Sequence, residues 1–174
     1  RFAFNCQNTY DFGGGDVRNV LANQNLGKAF VTGVNGNIKT TLAKNVQFNG
    51  SYNVTLGRVT TDGNKRPLDH IPPYFGKLGI NYTPKWANFE AYMLFNGKKH
   101  LSDYSTSGED NLVYAPANGI PAWETYNFKA ATKSIEGFTL FTGVENLLDT
   151  QYRNFASGIN AGGRNIYGGA KYSF

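Results

Sequence analysis

Cysteine is almost missing from this chain. Cys6 is the only one in 174 residues, which excludes an internal disulfide and leaves no thiolate metal site. Charge is scarce too. Charged residues make up 17% of the chain, against about a quarter in soluble globular domains, so much of the surface is expected to face something other than bulk water. No apolar run approaches the roughly 20 residues of a spanning helix. The negative mean hydropathy usually marks a soluble protein, yet it leaves room for a membrane β-barrel, whose strands alternate and average near neutral. The net charge of +5 comes from scattered basic residues without a clustered face or a recognition motif, so no nucleic-acid partner is expected.

Chemistry is equally thin. Gly13-Gly14-Gly15 lacks the GK[ST] ending of a phosphate loop and reads as a flexible loop. His70 follows Asp69, and His100 lies near Asp103, but no serine at a strained elbow accompanies either pair. The chain is not expected to be an enzyme, and no cofactor or metal is indicated. Two sequons, at Asn53 and Asn81, fall inside strand patterns and read as chance matches.

What is present is alternation, with 15% aromatic residues and 21 glycines. Over 46–57, Val46, Phe48, Gly50, Tyr52, Val54 and Leu56 share one face, and Gln47, Asn49, Ser51, Asn53 and Thr55 the other. The same period marks 2–10, 29–41, 74–83, 88–99, 122–132, 137–147 and 164–174. The pattern predicts an all-β, antiparallel chain of about eight strands. Most are longer than the ~5–6 residues usual in globular proteins and match the ~9–11 of a tilted membrane strand. Connections alternate as well: long at 11–28, 58–72, 100–121 and 148–163, short at 42–45, 84–87 and 133–136. Membrane barrels sort short periplasmic turns from long external loops in this way. The polar set is mostly neutral amides and hydroxyls, which suits a wet lumen, so the apolar face is expected to point outward. Aromatics near strand ends, such as Tyr52, Tyr82, Phe138 and Tyr172, fit interfacial girdles.

The long loops carry the candidate recognition groups. His70, His100, Tyr104 and Tyr114 stand among small polar residues and are candidate ligand-binding residues on an otherwise rigid scaffold. Arg58, Lys65, Arg66, Lys98, Lys99, Arg153 and Arg164 fall at the expected outer rim, where cations can meet lipopolysaccharide phosphates or an anionic ligand.

Several stretches then carry a resemblance. Val144-Glu145-Asn146-Leu147-Leu148-Asp149-Thr150-Gln151-Tyr152 resembles the ENLxDxxY stretch near the end of TonB-dependent outer-membrane receptors. Gly163-Arg164 leading to Tyr172-Ser173-Phe174 is similar to their terminal strand. Pro67-Leu68-Asp69-His70-Ile71-Pro72-Pro73 resembles their PLxxIPP element, and Asn25-Leu26-Gly27-Lys28-Ala29 with Gly33-Val34 their NxGKAxxxGvE, with Asn35 in place of the acid.

The resemblance implies a 22-stranded barrel with a plugged lumen, of which 1–174 supplies the C-terminal portion of about eight strands, without the plug domain or the earlier strands. It implies a Gram-negative outer-membrane protein that takes up a scarce bulky nutrient, a ferric siderophore or haem, with cobalamin or another metal chelate as alternative. Implied partners are outer-membrane lipid and lipopolysaccharide, the rest of the same receptor, TonB, and a small-molecule chelate. Glu145, Asn146, Asp149, Tyr152, Arg164 and Phe174 are then motif residues of the barrel rim. Asn146 and Asp149 are expected to hold the departing backbone, Tyr152 to anchor the loop, and Phe174 resembles a terminal signal read by the assembly machinery. Two rival readings stay open: a complete eight-stranded barrel of adhesive or structural role, closed by pairing 2–10 with 164–174, and a soluble ligand-binding barrel.

Overall fold

A computed structural model describes residues 9–11, 13–15, 17–19, 27–61, 63–105 and 116–174. Its strands are β1 (Thr9–Asp11), β2 (Val17–Asn19), β3 (Lys28–Ala43), β4 (Val46–Thr61), β5 (Asn64–Pro67), β6 (Phe75–Tyr82), β7 (Ala87–Asn96), β8 (Trp123–Thr132), β9 (Phe138–Glu145) and β10 (Asn165–Tyr172). One 3-10 turn spans Leu101–Asp103. β1 and β2 form a separate antiparallel ribbon. The others make one antiparallel sheet in the order β10-β9-β8-β7-β6-β4-β3, with β5 beside β4. The sheet is open. Among the described residues β3 pairs with β4 alone and β10 with β9 alone. The expected strand 2–10 lies outside the described residues except for Thr9 and Tyr10, which belong to the ribbon.

The other expected strands are present with shifted ends. The largest shift is in β4, which runs on to Thr61 instead of stopping near 57. Gly63, at φ +78°, turns the chain so that β5 pairs back from Thr61↔Asn64 to Arg58↔Pro67. Two thirds of the expected 58–72 loop, residues 58–67, is therefore hairpin. Pro67 closes it, having no N–H to extend the ladder, and Leu68 N–H takes the carbonyl of Gly57 at 3.1 Å.

The connections fall at opposite ends of the sheet. Short turns at 44–45, 83–86 and 133–137 share one end, and the long segments 68–74, 97–122 and 146–164 the other. The short turns brace one another. Thr83 N–H donates to Asn45 O and Lys133 N–H to Trp86 O, both at 2.8 Å.

Exposure follows the alternation with its sign reversed relative to a water-soluble sheet. On β4, Tyr52, Val54 and Leu56 are exposed while Ser51, Asn53 and Thr55 are half-buried. Cross-strand register carries one apolar row across the sheet from Phe48 through Ile80, Ala91, Phe128 and Val144 to Ile166. The neighbouring row runs Gln47, Asn81, Glu90, Lys129, Gly143, Tyr167. In the apolar row Ile80 is 47% and Ile166 74% exposed. The accessible area of 12766 Å² exceeds the about 8,400 Å² of a compact monomer of this mass. Among the described residues only Ala87, Tyr104 and Ile120 are buried apolar residues. This sheet hides no apolar core of its own and needs an apolar medium against its outer face. From Val46 to Leu56 that face spans about 25 Å at ~3.3 Å rise per residue and ~40° tilt, the height of a barrel's lipid band.

Aromatic rings bound the band. At the short-turn end Trp86 meets Phe89 edge to face at 5.4 Å, and Phe138 lies 4.6 Å from Tyr172. Towards the long loops, rings lie over glycines. A Cβ on Gly36 would stand 2.6 Å from the Tyr52 ring, so the missing side chain is what lets the ring lie flat on the neighbouring strand.

Candidate functional site at the long-loop end

The loops leave the sheet through a clamp built on Asn146. Its backbone N–H donates to Asn127 Oδ1 at 2.9 Å, replacing a ladder carbonyl. Its side-chain carbonyl accepts Thr150 N–H at 2.9 Å, and its amide donates to Thr150 O at 2.9 Å and Gly162 O at 3.4 Å. Asn146 holds φ +52°, a left-handed conformation that Asn tolerates better than most residues. It is 4% exposed, so these bonds form away from water, where an unmet amide is costly. Asp149, at φ +56°, accepts Arg164 N–H on Oδ1 at 2.8 Å. The two ends of the 146–164 excursion are thus tied to each other. Tyr152 packs on Trp123 with centroids 4.1 Å apart. Glu145 pairs with Lys129 at 3.6 Å, and Phe174 is fully exposed beside Tyr172.

A second knot joins three long segments. Lys99, 3% exposed, donates Nζ to Ile71 O at 2.5 Å and sits 4.3 Å from the Phe155 ring and 5.0 Å from that of Tyr104. Backbone bonds between Lys99 and Ile120 close the base of the 97–122 segment. A buried ammonium is tolerable here because a carbonyl and two aromatic faces replace its water. Lys99 therefore is an internal staple, not a cation of the outer rim. Arg58 and Lys98 stay near the surface, lining a cavity of about 180 Å³ with Ile71, Pro73 and Asp103.

The candidate ligand residues separate. His70, at φ +59°, and His100 are exposed. Tyr104 is 3% exposed and tilts against Phe155 at 6.2 Å, so its ring packs the knot. Tyr114 lies outside the described residues. Among the described residues no group of three His, Cys, Asp or Glu is placed to hold a metal.

Sequence reasoning missed Asn127, Trp123 and the polar-face network. Lys77 pairs with Glu90 at 2.5 Å and stands 4.1 Å from the Tyr92 ring, with Lys129 5.1 Å from the same ring. Partners on β6, β7 and β8 leave no one-dimensional spacing to find. Among the described residues, Trp123 Nε1 and Arg66 Nε are buried donors, and Asp69 Oδ1 a buried acceptor, without a hydrogen-bond partner. This end retains polar capacity for water or a ligand.

An open antiparallel wall with its apolar face outward, short turns at one end and tied long loops at the other defines a segment of a transmembrane β-barrel. The family described as "TonB dependent receptor-like, beta-barrel" matches residues 2–147, and the chain belongs to it. Its members are outer-membrane transporters of Gram-negative bacteria and not enzymes. Among solved structures the chain is similar to the copper transporter OprC, with TM-score 0.69 and 17% identity, covering 84% of this chain and 24% of that one. It is similar to the unliganded ferric citrate transporter FecA, with TM-score 0.65 and 21% identity over 83% of this chain and 24% of that one. The ferric yersiniabactin uptake receptor FyuA from Yersinia pestis follows at TM-score 0.55 and 18% identity, over 84% and 22%. The chain spans about a quarter of the length of these structures. No curated relative matches.

Proposed function

We propose that the protein carrying this chain imports a ferric siderophore or haem across the Gram-negative outer membrane, driven through TonB. In this reading 1–174 is the C-terminal part of the barrel, and the plug and the TonB-gripped segment lie elsewhere in the polypeptide. The carrying observation is the family match over 2–147, joined to the reversed exposure of apolar and polar residues on one antiparallel sheet. Two of the similar structures are named for ferric citrate and ferric yersiniabactin, which favours a ferric chelate. His70, His100 and Tyr114 contribute to the external vestibule, where the Lys99 staple ties the residue after His70 to the one before His100.

Deletion of the gene is expected to abolish growth on one siderophore or haem as sole iron source, and uptake of radiolabelled iron in the same chelate. Unimpaired growth on every iron source would sink this reading. A second reading, transport of copper or another metal chelate, is supported by the similarity to OprC. It predicts that deletion lowers cellular copper with iron unchanged.

A further inference from the structure

We propose that Lys28, Arg58 and Lys65 form a phosphate-binding site for lipopolysaccharide on the outward face of the wall, just above its apolar band. This rests on the outer-membrane reading above and deepens it by naming the residues that meet the lipid.

The register puts the three cations on one face. On β4, Arg58 and Thr60 continue the outward row of Tyr52, Val54 and Leu56, because alternate residues of a strand share a face. Phe30 on β3 stands opposite Arg58, and Thr60 lies between Lys28 on β3 and Lys65 on β5. The Lys65 ammonium lies 5.2 Å from the centroid of the Phe30 ring, which is 50% exposed. Lys65 thus reaches across β4 on the outward side, and its charge and that of Arg58 flank one ring. Lys28 is exposed beside them. Arg66 stands opposite Val59 on the other face, and Lys99 is buried, so neither belongs to this patch.

Charge and height together select the partner. Like charges on neighbouring strands repel, and the outward rows of β3, β4 and β5 hold no Asp or Glu among the described residues. Among the described residues none of the three cations is paired with an acid, Asp103 included, which lines a cavity with Arg58. The Arg58 side chain makes one hydrogen bond, from Nη1 to Gly57 O at 3.0 Å, and keeps most of its planar fork for a phosphate. At ~3.3 Å per residue and ~40° tilt, Arg58 stands about 5 Å and Thr60 about 10 Å beyond Leu56. That is the headgroup layer bordering the hydrocarbon. Long loops in these barrels are external, so the layer belongs to the outer leaflet, where lipopolysaccharide carries phosphates above its acyl chains. Phe30, Val54 and Leu56, all exposed, offer those chains an apolar track below the cations.

The test is native mass spectrometry of the full-length receptor, purified in detergent and offered diphosphorylated or dephosphorylated lipid A. Wild type is expected to retain the diphosphorylated form about a hundredfold better, roughly fivefold for each surface cation. Combined Lys28→Gln, Arg58→Gln and Lys65→Gln should remove the preference, with folding checked by heat-modifiable migration. If that variant does not fold, Lys28→Gln with Lys65→Gln, both at exposed positions, should still lower it. Lys39→Gln removes a charge from the opposite face, where Lys39 stands across from Asn49, and should leave the preference unchanged. Equal retention of the two forms by wild type, an unchanged preference in the triple variant, or an equal loss in Lys39→Gln overturns the proposal. Displacement of lipid A by inorganic phosphate at constant ionic strength also overturns it, since the site would then take a free anion. A receptor that stays monomeric without detergent overturns the membrane reading itself. One that requires detergent but shows no preference overturns the lipid site alone.

Discussion

Asn127 and Asn146 are bound through one amide: Asn127 Oδ1 accepts the backbone N–H of Asn146 at 2.9 Å, while Asn127 Nδ2 donates to Thr125 O at 3.0 Å and Tyr92 O at 3.3 Å. One side chain on β8 thereby joins β7 to the start of the 146–164 loop. Asn127→Ala strands a buried N–H and is expected to cost about 1–3 kcal/mol. Asn146→Gly keeps the left-handed backbone but loses the bonds to Thr150 and Gly162, and should cost a similar amount. Because the two act on one network, the double variant should cost less than the sum. Denaturant unfolding of the full receptor in detergent checks this, and additive losses would count against the clamp.

The orientation of the sheet has a direct test in neighbouring residues. Ile80 is 47% exposed on the apolar face, and Asn81 lies on the polar row between Gln47 and Glu90. Ile80→Lys is expected to destabilise the lipid-embedded barrel by about 2–4 kcal/mol if it lies near the bilayer midplane. Asn81→Lys should change stability far less. Folding free energies in lipid vesicles separate the cases, and equal effects would contradict the outward apolar face.

Gly36 and Tyr52 form a similarly testable pair. The three atoms nearest to a Cβ on Gly36 all belong to the Tyr52 side chain, the nearest at 2.6 Å. Gly36→Ala should destabilise by about 1–3 kcal/mol through overpacking. Most of that loss should vanish in a Tyr52→Leu background, where the ring is gone. A loss undiminished in that background would place the strain in the backbone instead.

His100 and Tyr104 should respond in opposite ways to truncation. His100 is exposed, so His100→Ala is expected to leave stability within about 0.5 kcal/mol while, on the proposed function, weakening cellular uptake of the substrate. Tyr104→Ala removes a ring packed on Phe155 and facing Lys99, and should cost about 3 kcal/mol with faster proteolysis of the 97–122 segment in intact cells. Unchanged uptake in His100→Ala would remove it from the vestibule.

Much of the wall was legible in the one-dimensional pattern. The strict alternation of 46–57 located β4, and the same period placed β3 and β6 to β10 within a few residues. Boundaries moved where a local turn had its own partner, as at Gly63, which let β4 continue beside β5. The loop residues were less legible. Lys99 and Tyr104 look like exposed loop side chains in a polar stretch, and nothing in their spacing shows that Ile71 and Phe155 arrive to cover them.

Period-2 alternation, neutral polar residues and sorted connection lengths are local properties, and they determined by themselves that this is a strand-built wall with an apolar outer face. The ENLLDTQY stretch determined its place at a strand exit, since Asn and Asp carry their turn-forming chemistry with them. Only the tertiary structure decided which amide receives Asn146, that Lys99 is buried, and that Thr132 replaces a ladder carbonyl for Leu140. Those outcomes depend on cross-strand register and on contacts between loops far apart in the chain, so no local stretch encodes them alone.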